Sequence, residues 1–213
     1  MGDFKPLMKI GGIELIRLTV TSMVAGGIND IFVVTGRESA RVKEVLLRDD
    51  PQASGSVVPG SPLPVIHFVE NRDYQTTDML FSIQRGLQAL CTYGSVTTED
   101  RKDILAEPIA ATFVIPGDVA GVCPKTVAAL REHALLSKAS IICPTYHFKR
   151  GHPILIKEEC FSSICDYQGE GGLKQALEAF SIELVNVDDE GILLDVDYPH
   201  EFEYLSAYLQ PPT

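Results

Sequence analysis

Three aspartates in two predicted turns of the chain are candidate ligands for a divalent cation. Asp118 follows a short apolar run and comes directly after Gly117, which lets the backbone turn sharply. Asp195 and Asp197 are separated by one residue, so on an extended segment both side chains point to the same side. Mg²⁺ takes one or two protein carboxylates together with substrate phosphates. The alternatives are a solvated turn for Asp118 and, for Asp197, a cap on a helix that begins near Pro199.

Two basic or polar segments could serve a phosphorylated substrate. Lys5 precedes Pro6 in an irregular segment and could reach phosphates as a point charge, the alternative being a surface lysine. The turn Arg150-Gly151-His152-Pro153 holds its histidine extended, because the residue before a proline avoids the helical region. His152 could therefore point into a site, or it could be an exposed, locally hydrogen-bonded side chain.

Short apolar runs alternate with helical patterns along the whole chain. The predicted helices cover 13–26, 37–48, 78–92, 124–137, 158–166, 172–180 and 199–209. The predicted strands cover 30–35, 64–69, 110–115, 139–143, 154–156, 182–187 and 192–194. Two polar segments, 49–64 and 93–108, are predicted as loops.

This alternation favours an α/β fold, with a doubly wound, mostly parallel sheet and helices on both faces, in a single domain over 1–213. Ligands of open α/β sheets bind beyond the carboxyl ends of the strands. We therefore expect a site near Thr35-Gly36, Gly117-Asp118 and the turns around Asp195.

The composition and net charge of the chain argue against some classes of binding partner. The 213 residues carry a formal net charge of -11, with 45% hydrophobic and 22% charged residues, typical of a globular protein. Nucleic acid is not expected, because an acidic surface gains nothing from counterion release. No signal peptide and no membrane-length apolar run are visible, and five cysteines without a Cys-x-x-Cys pair suit reduced thiols in the cytoplasm. We therefore predict a cytoplasmic protein without a membrane partner.

Six segments, taken in order, resemble the molybdenum-cofactor nucleotidyltransferases, especially their cytidylyltransferase branch. Each corresponds to a motif of that family. The segments are Phe4-Lys5-Pro6-Leu7 with Ile10-Gly11-Gly12, then 25–36, Asn71–Tyr74 with 82–87, Pro116-Gly117-Asp118, Pro144–Tyr146 with Arg150–Pro153, and Leu194–Pro199. The fold implied is that of the nucleotide-diphospho-sugar transferases.

The resemblance implies transfer of a nucleotide, expected from CTP, to a phosphorylated pterin cofactor, with release of pyrophosphate. Lys5 and Asp118 would be catalytic, and Mg²⁺ would lie on Asp118 with Asp195 or Asp197. The remaining roles follow the same motifs. Nucleotide contacts would come from Lys5, Thr35, Gly36, Asn71, Ser82, Gly117 and Asp118, and acceptor contacts from Arg150, His152 and Pro153.

The chain departs from the family pattern in three places. An apolar strand and a Gly-rich loop precede the Lys-Pro-Leu segment in the family, whereas here Met1-Gly2 stands where that loop ends. We therefore expect an N-terminally truncated form, from a late start codon or trimming, with a gap in the sheet. The family's Gly-Asp-Gln-Pro is Gly117-Asp118-Val119-Ala120, and Asp78 replaces a glycine.

These departures leave two other functions open. One is a related transferase acting on a sugar phosphate or another organic phosphate. The other is a non-catalytic protein that holds the pterin cofactor for a molybdenum hydroxylase.

Overall fold

The computed structural model describes residues 4–48, 64–95 and 109–209, in which helices and short strands alternate. The strands are β1 (Lys9–Ile10), β2 (Ile13–Glu14), β3 (Asp30–Thr35), β4 (Val65–Glu70), β5 (Ala111–Val114), β6 (Ile141–Tyr146), β7 (Lys149–Arg150), β8 (Ile154–Lys157) and β9 (Ile182–Asn186). The α-helices are α1 (Leu15–Ala25), α2 (Ser39–Leu47), α3 (Met79–Ser95), α4 (Pro124–Leu136), α5 (Phe161–Asp166), α6 (Gly172–Leu177) and α7 (Pro199–Leu209). Short 3-10 helices cover Lys5–Leu7, Glu158–Cys160 and Glu190–Leu193.

The main strands form two separate pieces of sheet. In the first, β3 and β4 pair in parallel from Asp30–Val65 to Thr35–Glu70. In the second piece, β8 lies between β5 and β6 and is antiparallel to both. β9 is parallel to β6, and β7 forms a hairpin with β6. β1 and β2 make a small hairpin of their own.

Helices cover both faces of these strands, which confirms the three-layer α/β class. α3, α5 and α6 pack on one face around a core that includes Leu87, Ile141 and Ile164. α1 and α4 pack together on the other face, where Val127 and Leu130 are fully buried. Among the described residues, no helix has both the length and the apolar character needed to span a bilayer.

Strand direction is mixed rather than mostly parallel as expected. β8 follows β6 after only residues 147–153, which include β7, and such a short connection suits antiparallel neighbours, because parallel strands need a long crossover. The predicted strand 192–194 is wrong: it falls on the 3-10 helix Glu190–Leu193, where the Asp189 side chain accepts a hydrogen bond from the Gly191 amide.

The other predicted elements are confirmed with small shifts at their ends. The strand at 30–35 and the helix at 199–209 match in full, whereas the helix predicted from residue 13 begins at Leu15, because Ile13 and Glu14 belong to the β1–β2 hairpin. The predicted loops lie mainly outside the described residues, at 49–63 and 96–108, and residues 93–95 extend α3.

A cleft of about 490 Å³ separates the two pieces of sheet. Consecutive residues line it on both sides, 30–36 from β3 and 112–117 from β5, so the strands present their edges to it. Within the described ranges β3 pairs only with β4, and β5 only with β8. Apolar side chains of α1 and α3, such as Met23 and Leu87, cover the cleft from the two faces.

Candidate functional site

Helix α1 fixes the backbone around Asp118. The Thr19 hydroxyl is 3.0 Å from the Leu15 carbonyl of its own helix, 3.3 Å from the Val119 carbonyl and 3.5 Å from that of Gly117, and the Ser22 hydroxyl donates to the Val122 carbonyl. A Cβ on residue 117 would lie 2.6 Å from Cδ1 of Ile16, so glycine allows the loop to approach the helix. Asp118 is thereby held, half-buried, at the carboxyl end of β5.

Lys5 is not an isolated surface lysine, because its ammonium forms an ion pair with Asp197. The two side chains are 30% and 57% exposed. This hydrogen bond raises the pKa of Lys5 against the opposing effect of burial, and the charges of Asp197, Asp118 and Asp195 add to the rise. One lysine and three carboxylates therefore share one electrostatic environment.

Asp118 is a half-buried carboxylate whose charged form is disfavoured. Burial raises its pKa, its own backbone hydrogen bond and Lys5 oppose that, and repulsion from Asp195 and Asp197 adds to it. In the described parts of the chain, no group of three or more His, Cys, Asp or Glu side chains is arranged to hold a metal ion. The three carboxylates are thus near one another without forming a preassembled metal site.

Asp197 is used differently from the helix cap considered above. Glu201 accepts hydrogen bonds from the backbone amides of Asp197 and Tyr198 at the start of α7, at 2.8 and 2.7 Å. The carboxylate of Asp197 is directed to Lys5 instead. Asp195, two residues earlier, is exposed.

The turn before β8 brings His152, but not its neighbours, to the cleft. The backbone amide of His152 donates to the Ile192 carbonyl at 2.9 Å, and a Cβ on Gly151 would lie 2.3 Å from the same oxygen. Burial lowers the pKa of His152, whose Nδ1 has no hydrogen-bond partner. Arg150 is exposed and Pro153 is buried, and neither lines the cleft.

A second group of predicted residues lies at the carboxyl ends of β3 and β4. Asn71 is 2% exposed, and its backbone amide donates to the Thr35 carbonyl at 2.7 Å. Its side-chain amide donates to Oγ of Ser82 at 3.0 Å, which joins α3 to the strand ends. A Cβ on Gly36 would lie 2.5 Å from Cβ of Tyr74, so only glycine fits there.

The two groups face each other across the cleft. Thr35, Gly36 and Ser82 line one side, while Gly117 and His152 line the other. Ile16, in the first turn of α1, lies against residue 117 and also lines the cleft. Of the predicted nucleotide and metal residues, Thr35, Gly36, Ser82 and Gly117 therefore line the cleft, whereas Lys5, Asn71, Asp118, Asp195 and Asp197 are not among its lining residues.

Three of the five cysteines are not prepared for nucleophilic chemistry. Burial raises the pKa of Cys143 and Cys165, and it raises that of Cys160 to about 11. A thiol is a good nucleophile only as its thiolate. These side chains are part of the packing, as expected for reduced thiols.

Sequence reasoning missed one residue of this region, the buried Asp189. Its neighbour Asp188 is exposed, and nothing in the sequence around the two aspartates distinguishes them. A carboxylate with several backbone donors can be recognised only once the loops that approach it are known.

Comparison with known proteins agrees with this architecture. Residues 1–186 match the family model described as MobA-like NTP transferase domain. No curated protein matches the chain well enough to count as a relative.

Three solved structures of other proteins share the fold. Rv0371c from Mycobacterium tuberculosis H37Rv has a TM-score of 0.68 at 15% identity, covering 97% of this chain and 90% of that one, and it has also been solved as a complex with manganese. The 4-diphosphocytidyl-2C-methyl-D-erythritol synthase of Anaerococcus prevotii has a TM-score of 0.63 at 10% identity, with 98% and 91% covered. The molybdopterin-guanine dinucleotide biosynthesis protein A of Archaeoglobus fulgidus has a TM-score of 0.60 at 12% identity, with 97% and 90% covered.

The family model spans most of the chain and includes both groups of residues around the cleft, apart from the segment that carries Asp195 and Asp197. The chain therefore belongs to the family of MobA-like NTP transferase domains and is by family a nucleotidyltransferase.

Proposed function

We propose that this protein, acting as a single domain, transfers CMP from CTP to the phosphate of a molybdopterin-type cofactor and releases pyrophosphate. The observation that carries the proposal is the arrangement across the cleft. Pro6 and Gly117, the chain neighbours of Lys5 and Asp118, line the cleft, and so do Thr35 and Ser82, which Asn71 joins through its hydrogen bonds. The ordered motifs of the sequence support the choice of acceptor.

The chemistry requires charge control more than covalent catalysis. An oxygen of the acceptor phosphate would attack the α-phosphorus of CTP as the bond to pyrophosphate breaks. Lys5 would place a fixed positive charge near the transferred group, and His152, which lines the cleft, would contact the acceptor. Such sites act by positioning and electrostatic stabilisation.

The carboxylates fit a divalent cation, and Mg²⁺ is the one we propose. Asp118 is half-buried and repelled by Asp195 and Asp197, so a cation beside it would relieve an unfavourable arrangement. Mg²⁺ needs only one or two carboxylates when phosphates complete its shell, which suits a group that is not preassembled. Asp118 and Asp195 would hold it, since Asp197 already pairs with Lys5, and it would neutralise phosphate charge.

We further propose that the functional gene product carries residues upstream of Phe4 that fill the cleft. Phe4 and Pro6 line it, so a preceding segment could enter directly. Whatever fills the cleft must form hydrogen bonds with the backbone N–H and C=O groups at the edges of both β3 and β5. An extended strand can do so, whereas a small apolar ligand cannot. Because helices cover both faces, that strand should be apolar throughout.

The loop between such a strand and Phe4 would bind the triphosphate. Backbone amides of Gly-rich loops are strong phosphate ligands. The coding DNA ahead of Met1 provides a direct check: an in-frame apolar run followed by an Ala-Ala-Gly loop supports the proposal, and an in-frame stop codon contradicts it.

The test of activity compares residues 1–213 with the upstream-extended chain. Each is incubated with Mg²⁺, the molybdopterin-type cofactor and one of CTP, GTP, ATP or UTP, each labelled at the α-phosphate. We expect label to reach the cofactor from CTP with the extended chain. No transfer from any nucleotide to any acceptor would refute a catalytic function.

Two other functions remain open on specific grounds. Transfer to a sugar phosphate or another organic phosphate is supported by the similar fold of the diphosphocytidyl-methylerythritol synthase and by Val119-Ala120 beside Asp118. Product analysis over a panel of acceptors separates it from the first proposal. Binding of the cofactor without any nucleotide, even by the extended chain, would instead indicate a carrier for a molybdenum hydroxylase.

A further inference from the structure

Asp189 is a buried carboxylate surrounded by four hydrogen-bond donors. It is 4% exposed, and one oxygen, Oδ2, accepts from the Cys123 amide at 2.8 Å and from the Thr126 hydroxyl at 2.6 Å. The other oxygen, Oδ1, accepts from the Gly191 amide at 3.0 Å and from the Tyr208 hydroxyl at 3.3 Å. The donors come from four different parts of the chain: the approach to α4, its first turn, a 3-10 helix and α7.

The two oxygens serve the two segments that carry the proposed metal ligands. Asp118 is joined to Cys123 by residues 119–122, which form neither helix nor strand. Thr19 and Ser22 of α1 contact the Val119 and Val122 carbonyls, and the Cys123 amide fixes the end of this segment to Asp189. On the other side, Asp195 follows the short 3-10 helix that begins directly after Asp189. One side chain therefore fixes both segments at comparable distances along the chain from their carboxylates.

The segments also touch each other at this point. A Cβ on Gly191 would lie 1.9 Å from the carbonyl oxygen of Gly121, and a Cβ on Gly121 would lie 3.0 Å from Cα of Gly191. The two backbones are thus in van der Waals contact beside the Asp189 carboxylate. A shift of either segment would change the separation of Asp118 and Asp195.

We infer that Asp189 is a positioning residue, which holds the segments of Asp118 and Asp195 together and so sets the affinity of the site for a divalent cation. It does not touch substrate or metal itself. The inference rests on the proposed function for the identity of the metal ligands, and on the hydrogen bonds alone for the coupling of the two segments.

Replacement by asparagine removes this coupling with almost no change of shape. In either orientation of the amide, its nitrogen faces one pair of donors, Cys123 with Thr126 or Gly191 with Tyr208. A hydroxyl can rotate and become an acceptor, whereas a backbone amide cannot. At least one segment therefore loses its acceptor for a backbone N–H.

The test compares Asp189→Asn with Asp188→Asn, which removes the same charge from the exposed neighbouring position. Mn²⁺ affinity is measured by electron paramagnetic resonance with and without CTP, and backbone exchange of residues 119–123 and 190–194 is measured by mass spectrometry. We expect the dissociation constant to rise about tenfold or more in Asp189→Asn, as for residues that orient metal ligands, and to stay near that of the parent chain in Asp188→Asn. Exchange should accelerate in at least one of the two segments and not in β6.

The outcomes separate the possible failures. Equal Mn²⁺ affinity in the two variants, or unchanged exchange in both segments, would overturn the inference. A parent chain that binds Mn²⁺ neither alone nor with CTP would contradict the proposed metal site, and the exchange measurement would then decide the coupling by itself. If Asp189→Asn does not fold, Tyr208→Phe removes only the 3.3 Å bond and should give a smaller change in the same direction.

Discussion

Replacing Lys5 with glutamine should change metal and nucleotide affinity in opposite directions. The ammonium of Lys5 pairs with Asp197 and also acts on Asp118 and Asp195, so it competes with a metal cation for their charge. The same ammonium would attract the phosphates of a nucleotide. Lys5→Gln should therefore strengthen binding of a divalent cation and weaken binding of a nucleoside triphosphate.

The exposure of the pair sets the magnitude. With side chains 30% and 57% exposed, the water limit of Coulomb's law applies, which is about 1 kcal/mol for unit charges about 4 Å apart. Removing the competitor should lower the Mn²⁺ dissociation constant about fivefold, and losing the phosphate contact should raise that of the nucleotide by a similar factor. Both changes should shrink as salt is added, because exposed charges are screened.

Titration calorimetry or Mn²⁺ resonance can measure both constants on the same samples. Lys9→Gln is the matched control, since Lys9 pairs with a different carboxylate, Glu14, at 3.3 Å. It should leave both constants within about twofold of the parent values. If Lys5→Gln weakened metal and nucleotide alike, the reasoning would fail, because Lys5 would then act through local folding and not through its charge.

Two further predictions concern stability. The pKa of Asp118 is raised in the folded protein, so the stability linked to its proton is present below the unfolded pKa and is lost as the pH rises through the folded pKa. Asp118→Asn should therefore raise the free energy of unfolding at pH 7 in metal-free buffer, and the gain should disappear in acid. A destabilised variant at pH 7 would contradict this. Gly191→Ala should lower the free energy of urea unfolding by about 3 kcal/mol, because its Cβ would meet the Gly121 backbone at 1.9 Å. Gly172→Ala, which has open space around the Cβ but a φ of +66°, should lower it by about 1 kcal/mol. Equal losses in the two variants would show that the Gly191 contact relaxes.

The fold could be predicted where local pattern and burial agree. The strand at 30–35 is a nearly continuous apolar run, and such runs occur where both faces of a strand are covered. The order and direction of the strands could not be predicted from local sequence patterns. β8 is as apolar as a parallel strand, and only the short connection from β7 shows that it returns antiparallel between β5 and β6.

The candidate site shows the same division. Asp118 could be selected because it follows a strand and a glycine, and the ends of strands meet at one edge of a sheet. The pairing of Lys5 with Asp197 joins residues 192 positions apart, which no local pattern reveals. Asp189 differs from Asp188 only in the donors that tertiary packing brings to it.

The most direct test of the central claim is thermal unfolding with Mg²⁺ and each of CTP, GTP, ATP and UTP, on residues 1–213 and on the upstream-extended chain. A ligand at a hundredfold excess over its dissociation constant adds about 2.7 kcal/mol to the folded state, or about 5–10 °C for a chain of this size. We predict a rise of this order for the extended chain with CTP and a clearly smaller one with the other three. No rise with any nucleotide in either form would contradict the assignment of this cleft to nucleotide transfer.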